Sequence, residues 1–119
     1  MGYHTGRSND FWKLSILTLE WIRLDGPEVT GTAPPGRNEH DISVVGSDIF
    51  VFGGVLQSNG VDNKLYKFST ISMAWSEVEV TGDRPSGKKG LRMTAVGTDI
   101  FVFGGEMEVD LMAIQILYV

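Results

Sequence analysis

The chain has 119 residues, 15 of them glycine and none cysteine, and its 10 basic and 15 acidic side chains leave a formal charge of -5. That length holds one ordinary domain or less, and an apolar content of 42% with 21% charged residues describes a folding chain, not a disordered one. Without cysteine there is no disulfide scaffold, Cys-ligated zinc or thiol nucleophile. The acidic balance, with Lys88, Lys89 and Arg92 as the only basic cluster, argues against nucleic acid and anionic membrane as partners.

The first apolar run, from Phe11 to Leu19, is interrupted by Lys13, Ser15 and Thr18 and does not form the core of a signal peptide. The last, from Leu111 to Val119, contains Gln115 and falls short of the roughly 20 residues that span a bilayer. A soluble chain is expected, with the cytoplasm as the favoured location.

In chain order, strands are expected at Phe11 to Ser15 and Trp21 to Leu24. Four more follow at His40 to Val45, Ile49 to Phe52, Leu65 to Ser69 and Ala74 to Val80, with Gly46-Ser47-Asp48 as a tight hairpin signal. Residues 91 to 104 repeat the first two of these four, and 111 to 118 read as part of the third. Ile49-Phe50-Val51-Phe52 has no polar alternation, so both of its faces are expected to be buried. Trp21 and Trp75 sit on outer strands with polar alternate residues. Helices are excluded by the β-branched and aromatic content and by the recurrent glycine.

These strands belong to a repeat. Ser47–Gly54 (SDIFVFGG) recurs as Thr98–Gly105 (TDIFVFGG), identical at seven of eight positions and offset by 51 residues. At the same offset Val29-Thr30-Gly31 matches Val80-Thr81-Gly82, Pro34 matches Pro85 and Gly36 matches Gly87. Upstream the offset becomes 54, pairing Phe11 with Leu65, Leu14 with Phe68 and Trp21 with Trp75. The three extra residues of the first copy are placed around Asp25-Gly26-Pro27.

A four-stranded unit repeated at about 50 residues is the period of kelch propellers. The Gly-Gly pair closing an IFVF strand, the aromatic at 66 (12 in the earlier copy), the Trp nine residues later at 75 (21), and the spacing Gly31, Pro34, Arg37, His40 together resemble the kelch-repeat family over nearly the whole chain. The resemblance implies an all-β fold of consecutive four-stranded antiparallel blades in an incomplete ring. Residues 1–24 would supply the outer strands of a first blade, 25–80 a complete blade and 81–119 an incomplete next one. The next copy reads Gly82, Pro85, Lys88, Leu91, so the Arg and His of the pattern stand in one blade only. Propellers close with about 4 to 8 blades, and the strand phase is that of an interior slice of a longer propeller. Completion of a blade by a second chain is disfavoured, because residues 111 to 118 would compete with Phe11 to Ser15 for the same place.

Catalytic and metal motifs are sparse. In an extended Glu39-His40-Asp41, adjacent side chains point to opposite faces, and a structural hydrogen-bonding role is expected for His40. Glu106 and Asp110 resemble the first two positions of the ExxxDxxxH iron motif of the plant nitrile-specifier kelch proteins, but position 114 is Ile, which cannot ligate. The Tyr–Cys copper chemistry of galactose-oxidase-like propellers needs a cysteine. No GxSxG, HExxH or phosphate loop occurs, so no cofactor and no enzymatic activity are expected.

Antiparallel strands put the short turns (46–48, 69–73, 97–99) at one face of the disc and the longer loops (25–38, 58–63, 82–89) at the other. Rigid scaffolds carry binding on such loops. The expected partner-binding residues are Arg37, Asn38, Gln57, Asn59, Asp62, Asn63, Arg84 and Lys88. Arg37 could instead pair within its own chain, fixing its loop to a neighbouring blade. The resemblance implies a non-catalytic protein-interaction scaffold, with open blade edges exposing it to self-association. The alternatives are specifier-like metal-assisted chemistry, or an oligomeric lectin in which Trp12, Trp21 and Trp75 stack on sugars.

Overall fold

The computed structural model describes residues 6–106. These contain eleven strands and no helix. β1 (Trp12–Ser15) and β2 (Glu20–Arg23) form an antiparallel pair, then come β3 (Thr30–Gly31) and β4 (Arg37–Asn38). The main sheet takes β5 (Asp41–Val45), β6 (Asp48–Phe52), β8 (Leu65–Ser69) and β9 (Ala74–Glu77) in the order β3-β9-β8-β6-β5. β7 (Val55–Leu56) pairs with β4, and β10 (Arg92–Val96) pairs with β11 (Asp99–Phe103). The described residues form successive antiparallel sheets with the ring not closed, as the kelch resemblance implies. The expected position 111 to 118 lies outside the described residues.

Four strands of the main sheet fall within three residues of their sequence-expected bounds, because turn residues bracket each β-branched or aromatic run. Gly46 takes a positive φ of 60° in the β5–β6 turn, and Gly97 takes 59° in the equivalent β10–β11 turn. The longer turns repeat as well: Leu19 N–H donates to Ser15 O at 2.7 Å and Met73 N–H to Ser69 O at 2.8 Å, with left-handed φ values of 59° and 56°.

Val51, Tyr66, Phe68 and Trp75 form the core of the main sheet, with Phe11, Val29, Ile49 and Met73 packed against it. Phe11 is contributed from just before β1, yet its ring lies 4.9 Å from that of Phe68 and 5.1 Å from that of Trp75. Apolar burial therefore joins the β1–β2 pair to the main sheet. On the other side Leu91 is fully buried, and a Cβ on Gly53 would meet it at 2.3 Å. Asp41, on β5, reaches β10 by accepting the Met93 N–H at 2.7 Å.

The expectation of burial on both faces of IFVF holds at Val51 and Phe52 but not in the second copy, where Phe101 is 58% and Phe103 82% exposed. No described strand pairs with the far edge of β11, so its residues lack the neighbours that cover β6. Trp21 likewise is 66% exposed against 7% for Trp75.

β3 was not legible in the sequence. Val29-Thr30-Gly31 leaves the first repeat and runs parallel to the outer strand of the next, Thr30 opposite Ala74 and Gly31 opposite Trp75. A Cβ on Gly31 would come 1.9 Å from the Trp75 carbonyl oxygen, whereas at Gly82, with nearly the same φ, it would meet nothing within 4 Å. Both substitutions strain a left-handed backbone, but only Gly31→Ala must also push a strand away. Gly31→Ala is therefore expected to cost about 1–3 kcal/mol more than Gly82→Ala, a difference read from paired urea denaturation curves.

Candidate functional site

The loop from β6 to β8 (residues 53–64) meets the segments that enter β5 (24–40) and β10 (78–91). Gly54 N–H to Lys88 O at 2.7 Å and Gly90 N–H to Glu39 O at 2.8 Å join these segments, Asp62 N–H to Gly54 O at 3.1 Å closes the β6–β8 loop on itself, and Arg37 N–H to Ser8 O at 3.1 Å reaches the segment before β1. Lys89 and Glu106 exchange N–H···O bonds in both directions. The loops are thus a bonded layer at one end of the blades, which is what a rigid recognition surface needs.

At its centre Arg37 and Asp62 correct the expectation that they face a partner. Their side chains are 4% and 8% exposed, with Nη2 and Oδ2 3.0 Å apart and neither atom hydrogen-bonded to any other described group. Arg37 also donates from Nη1 to Gly53 O at 2.9 Å and from Nε to Pro35 O at 3.1 Å, and its guanidinium lies 5.1 Å from the centre of the Tyr66 ring. Asp62 Oδ1 accepts the Lys64 N–H at 3.2 Å. Of the two roles open to Arg37 in the sequence, the structure has the internal one: it ties the entry to β5 to the β6–β8 loop.

The remaining six stay accessible. Asn38, Gln57, Asn59, Asn63 and Arg84 are exposed and Lys88 is half-buried. Arg84 Nη1 makes a long contact with Asn63 O at 3.5 Å. Asn38, Gln57 and Asn59 are drawn together by a residue that the sequence did not single out. Arg7 Nε donates to Asn38 Oδ1 at 2.7 Å and Nη1 to Asn59 Oδ1 at 3.0 Å, while the Arg7 backbone N–H donates to Gln57 Oε1. At the repeat offset Arg7 corresponds to Val61, so self-comparison carried no sign of it.

His40 is exposed, and its ring makes no hydrogen bond to a described residue. Burial, then the Arg37 guanidinium, hold its pKa below the usual imidazole value, against a smaller opposing pull from Asp41. Its flanking carboxylates turn elsewhere, Glu39 to Lys89 Nζ at 3.9 Å and Asp41 to backbone N–H groups. Among the described residues no cluster of side chains could hold a metal ion. Asp110 and Ile114 lie outside them.

A stacked series of glycine-bearing loops sealed to their neighbours is the architecture implied by the repeat, and comparison with known families agrees. Residues 2–117 match the family described as the KLHDC2/KLHL20/DRC7 Kelch-repeats domain. The chain belongs to the kelch-repeat family. Tip elongation aberrant protein 1 of Schizosaccharomyces pombe is 32% identical over 102 residues, covering 83% of this chain and 9% of that protein. The Rab9 effector protein with kelch motifs of Danio rerio is 42% identical over 81 residues, covering 66% and 23%. N-(sulfonatooxy)prop-2-enimidothioate sulfolyase of Thlaspi arvense is 38% identical over 88 residues, covering 72% and 25%. The chain thus spans a quarter or less of the length of these relatives.

Removing one member of the Arg37–Asp62 pair strands a buried charge. Asp62→Ala and Arg37→Ala are each expected to cost about 3–5 kcal/mol, whereas Asn63→Ala should stay within about 0.5 kcal/mol. Chemical denaturation followed by tryptophan fluorescence reads both.

Proposed function

We propose that this kelch segment is a non-catalytic scaffold that binds protein partners through the loop face, using Asn38, Gln57, Asn59, Asn63, Arg84 and Lys88. The observation that carries the reading is the coexistence of a fixed base and an exposed rim. Arg37, Asp62, Gly53 and Gly54 are buried and bonded to each other, while the amide and basic side chains around them remain open. A pre-ordered loop layer loses little entropy on binding, which favours recognition of another macromolecule.

Relatives named as a Rab9 effector and as a tip elongation protein support an interaction role over a chemical one. The sulfolyase relative keeps a specifier-like activity as the second reading, and position 114, where the motif needs a histidine, is Ile. The lectin alternative gains nothing from Trp75, which is only 7% exposed and packs on Phe11 and Phe68.

The test is an alanine scan of the six rim residues against a partner captured by the wild-type chain and identified by mass spectrometry. At least one substitution is expected to weaken binding by about 1 kcal/mol or more, the usual threshold for an energetically important contact, with no change in denaturation midpoint. A partner whose affinity survives all six changes would remove the loop face from consideration.

A further inference from the structure

The turn that follows β7 stands clear of the bonded layer beneath it. Its base is fixed by two bonds of 2.8 Å, Leu56 N–H to Gly60 O and Asn59 N–H to Leu56 O, while Gln57, Ser58 and Asn59 are exposed. Asn59 holds a left-handed φ of 70° and is followed by Gly60, whereas Asn9, Asn38 and Asn63 precede Asp, Glu and Lys. The backbone nitrogen that follows an asparagine can close a ring on the side-chain carbonyl carbon. Glycine makes that closure easiest, because it has no Cβ to shield the nitrogen or to narrow the backbone angles.

Three features of this turn favour the ring closure. The Gly60 N–H has no hydrogen-bonded partner among the described residues, so no bond has to break before its nitrogen is used. Asn59 Oδ1 accepts a hydrogen bond from Arg7 Nη1 at 3.0 Å. That contact draws electron density from Cγ and sets a cation beside the oxygen that becomes negative when Cγ turns tetrahedral, the placement by which an oxyanion is stabilised. Arg7 is already held by Asn38 Oδ1 at 2.7 Å and Leu56 O at 3.2 Å, so the donor need not be ordered during the reaction. Asn59 Nδ2, the leaving group, is without a hydrogen-bonded partner among the described residues.

We propose that Asn59 is a site of self-modification, converted to aspartate and isoaspartate through a cyclic imide formed with Gly60, with Arg7 as the oxyanion donor. The Gly60 nitrogen loses its proton to solvent and bonds to Asn59 Cγ. The Cγ–Nδ2 bond breaks, and Nδ2 takes a proton from water and leaves as ammonia. Water then opens the imide at one of its two carbonyls, leaving an aspartate or its β-linked isomer, and nothing is oxidised or reduced. The first product puts a carboxylate against the Arg7 guanidinium in place of an amide oxygen. The second adds a backbone atom between the two bonds that close the turn. The site stands whether or not the loop face binds a partner.

The experiment follows the folded chain in mildly alkaline buffer by peptide mass mapping, beside the peptide acetyl-Gln-Ser-Asn-Gly-Val-amide in the same buffer. Position 59 is expected to gain the mass of an amide-to-acid exchange at least as fast in the chain as in the peptide, and at least about tenfold faster than Asn63, a difference of about 1.36 kcal/mol in barrier. Both product isomers should appear, and the rate should fall in mildly acidic buffer, where the Gly60 nitrogen keeps its proton. Gly60→Ala, whose Cβ would meet only Ser58 Oγ at 3.8 Å, should leave the denaturation midpoint unchanged and slow the reaction at least about tenfold. Arg7→Gln should slow position 59 while leaving Asn63 unchanged. A rate in the folded chain below that of the peptide, or one that Arg7→Gln does not lower, would overturn the proposal. So would conversion in Gly60→Ala at the wild-type rate, since the Gly60 nitrogen would then not be attacking freely. The rim scan reads partner affinity and is unaffected by any of these outcomes.

Discussion

The buried contact between Arg37 and Asp62 sets the terms for the loop face. A charge taken out of water is tolerable only when a partner and hydrogen bonds compensate it, and here each compensating group belongs to a different piece of backbone. Arg37 holds Pro35 O, Gly53 O and Asp62, and Asp62 holds the turn into β8 through Lys64 N–H. The entry to β5, the end of β6 and the entry to β8 are thereby fixed to one another. The side chains around them inherit that fixity without being buried themselves.

The same economy explains the glycines at the blade junctions. Backbone approaches backbone so closely that a Cβ would stand 2.0 Å from Arg7 O at Gly36 and 2.7 Å from Val61 O at Gly87. These two positions are equivalent in the repeat, and each seats the loop of one blade against the preceding one. The apolar contacts of Phe11 with Phe68 and Trp75 act at the outer side of the junction. One blade is thus held to the next by packing at its periphery and by backbone and ionic bonds at its loop face.

Strand positions, hairpin turns and the repeat were legible because period-2 patterning and glycine punctuation are local signals. The family followed from their spacing. What depends on contact between segments distant in the sequence was not legible. Arg37 was open in the sequence to a partner or to a pairing within its own chain, and nothing in the neighbourhood of Asp62, 25 positions on, marks it as the residue that Arg37 pairs with. β3 escaped notice because two residues carry no periodicity, and its strand identity comes from β9 alone. Arg7 was missed since its role is made by three amides from two other segments. The uncovered face of IFVF in β11 shows that a sequence reports what a strand is suited to bury, and its described neighbours decide what it does bury.

The loop face is a fixed layer, not a fringe of mobile connections, and native-state amide hydrogen exchange measures that fixity amide by amide. The Arg37 and Gly54 N–H groups, each bonded to another segment, and the Asp62 N–H, bonded across its own loop to Gly54 O, are predicted to exchange as slowly as Val51 in the centre of β6, with protection lost together in Asp62→Ala. Free exchange at those three amides in the wild-type chain, with β6 still protected, would mean that the loop face is not fixed.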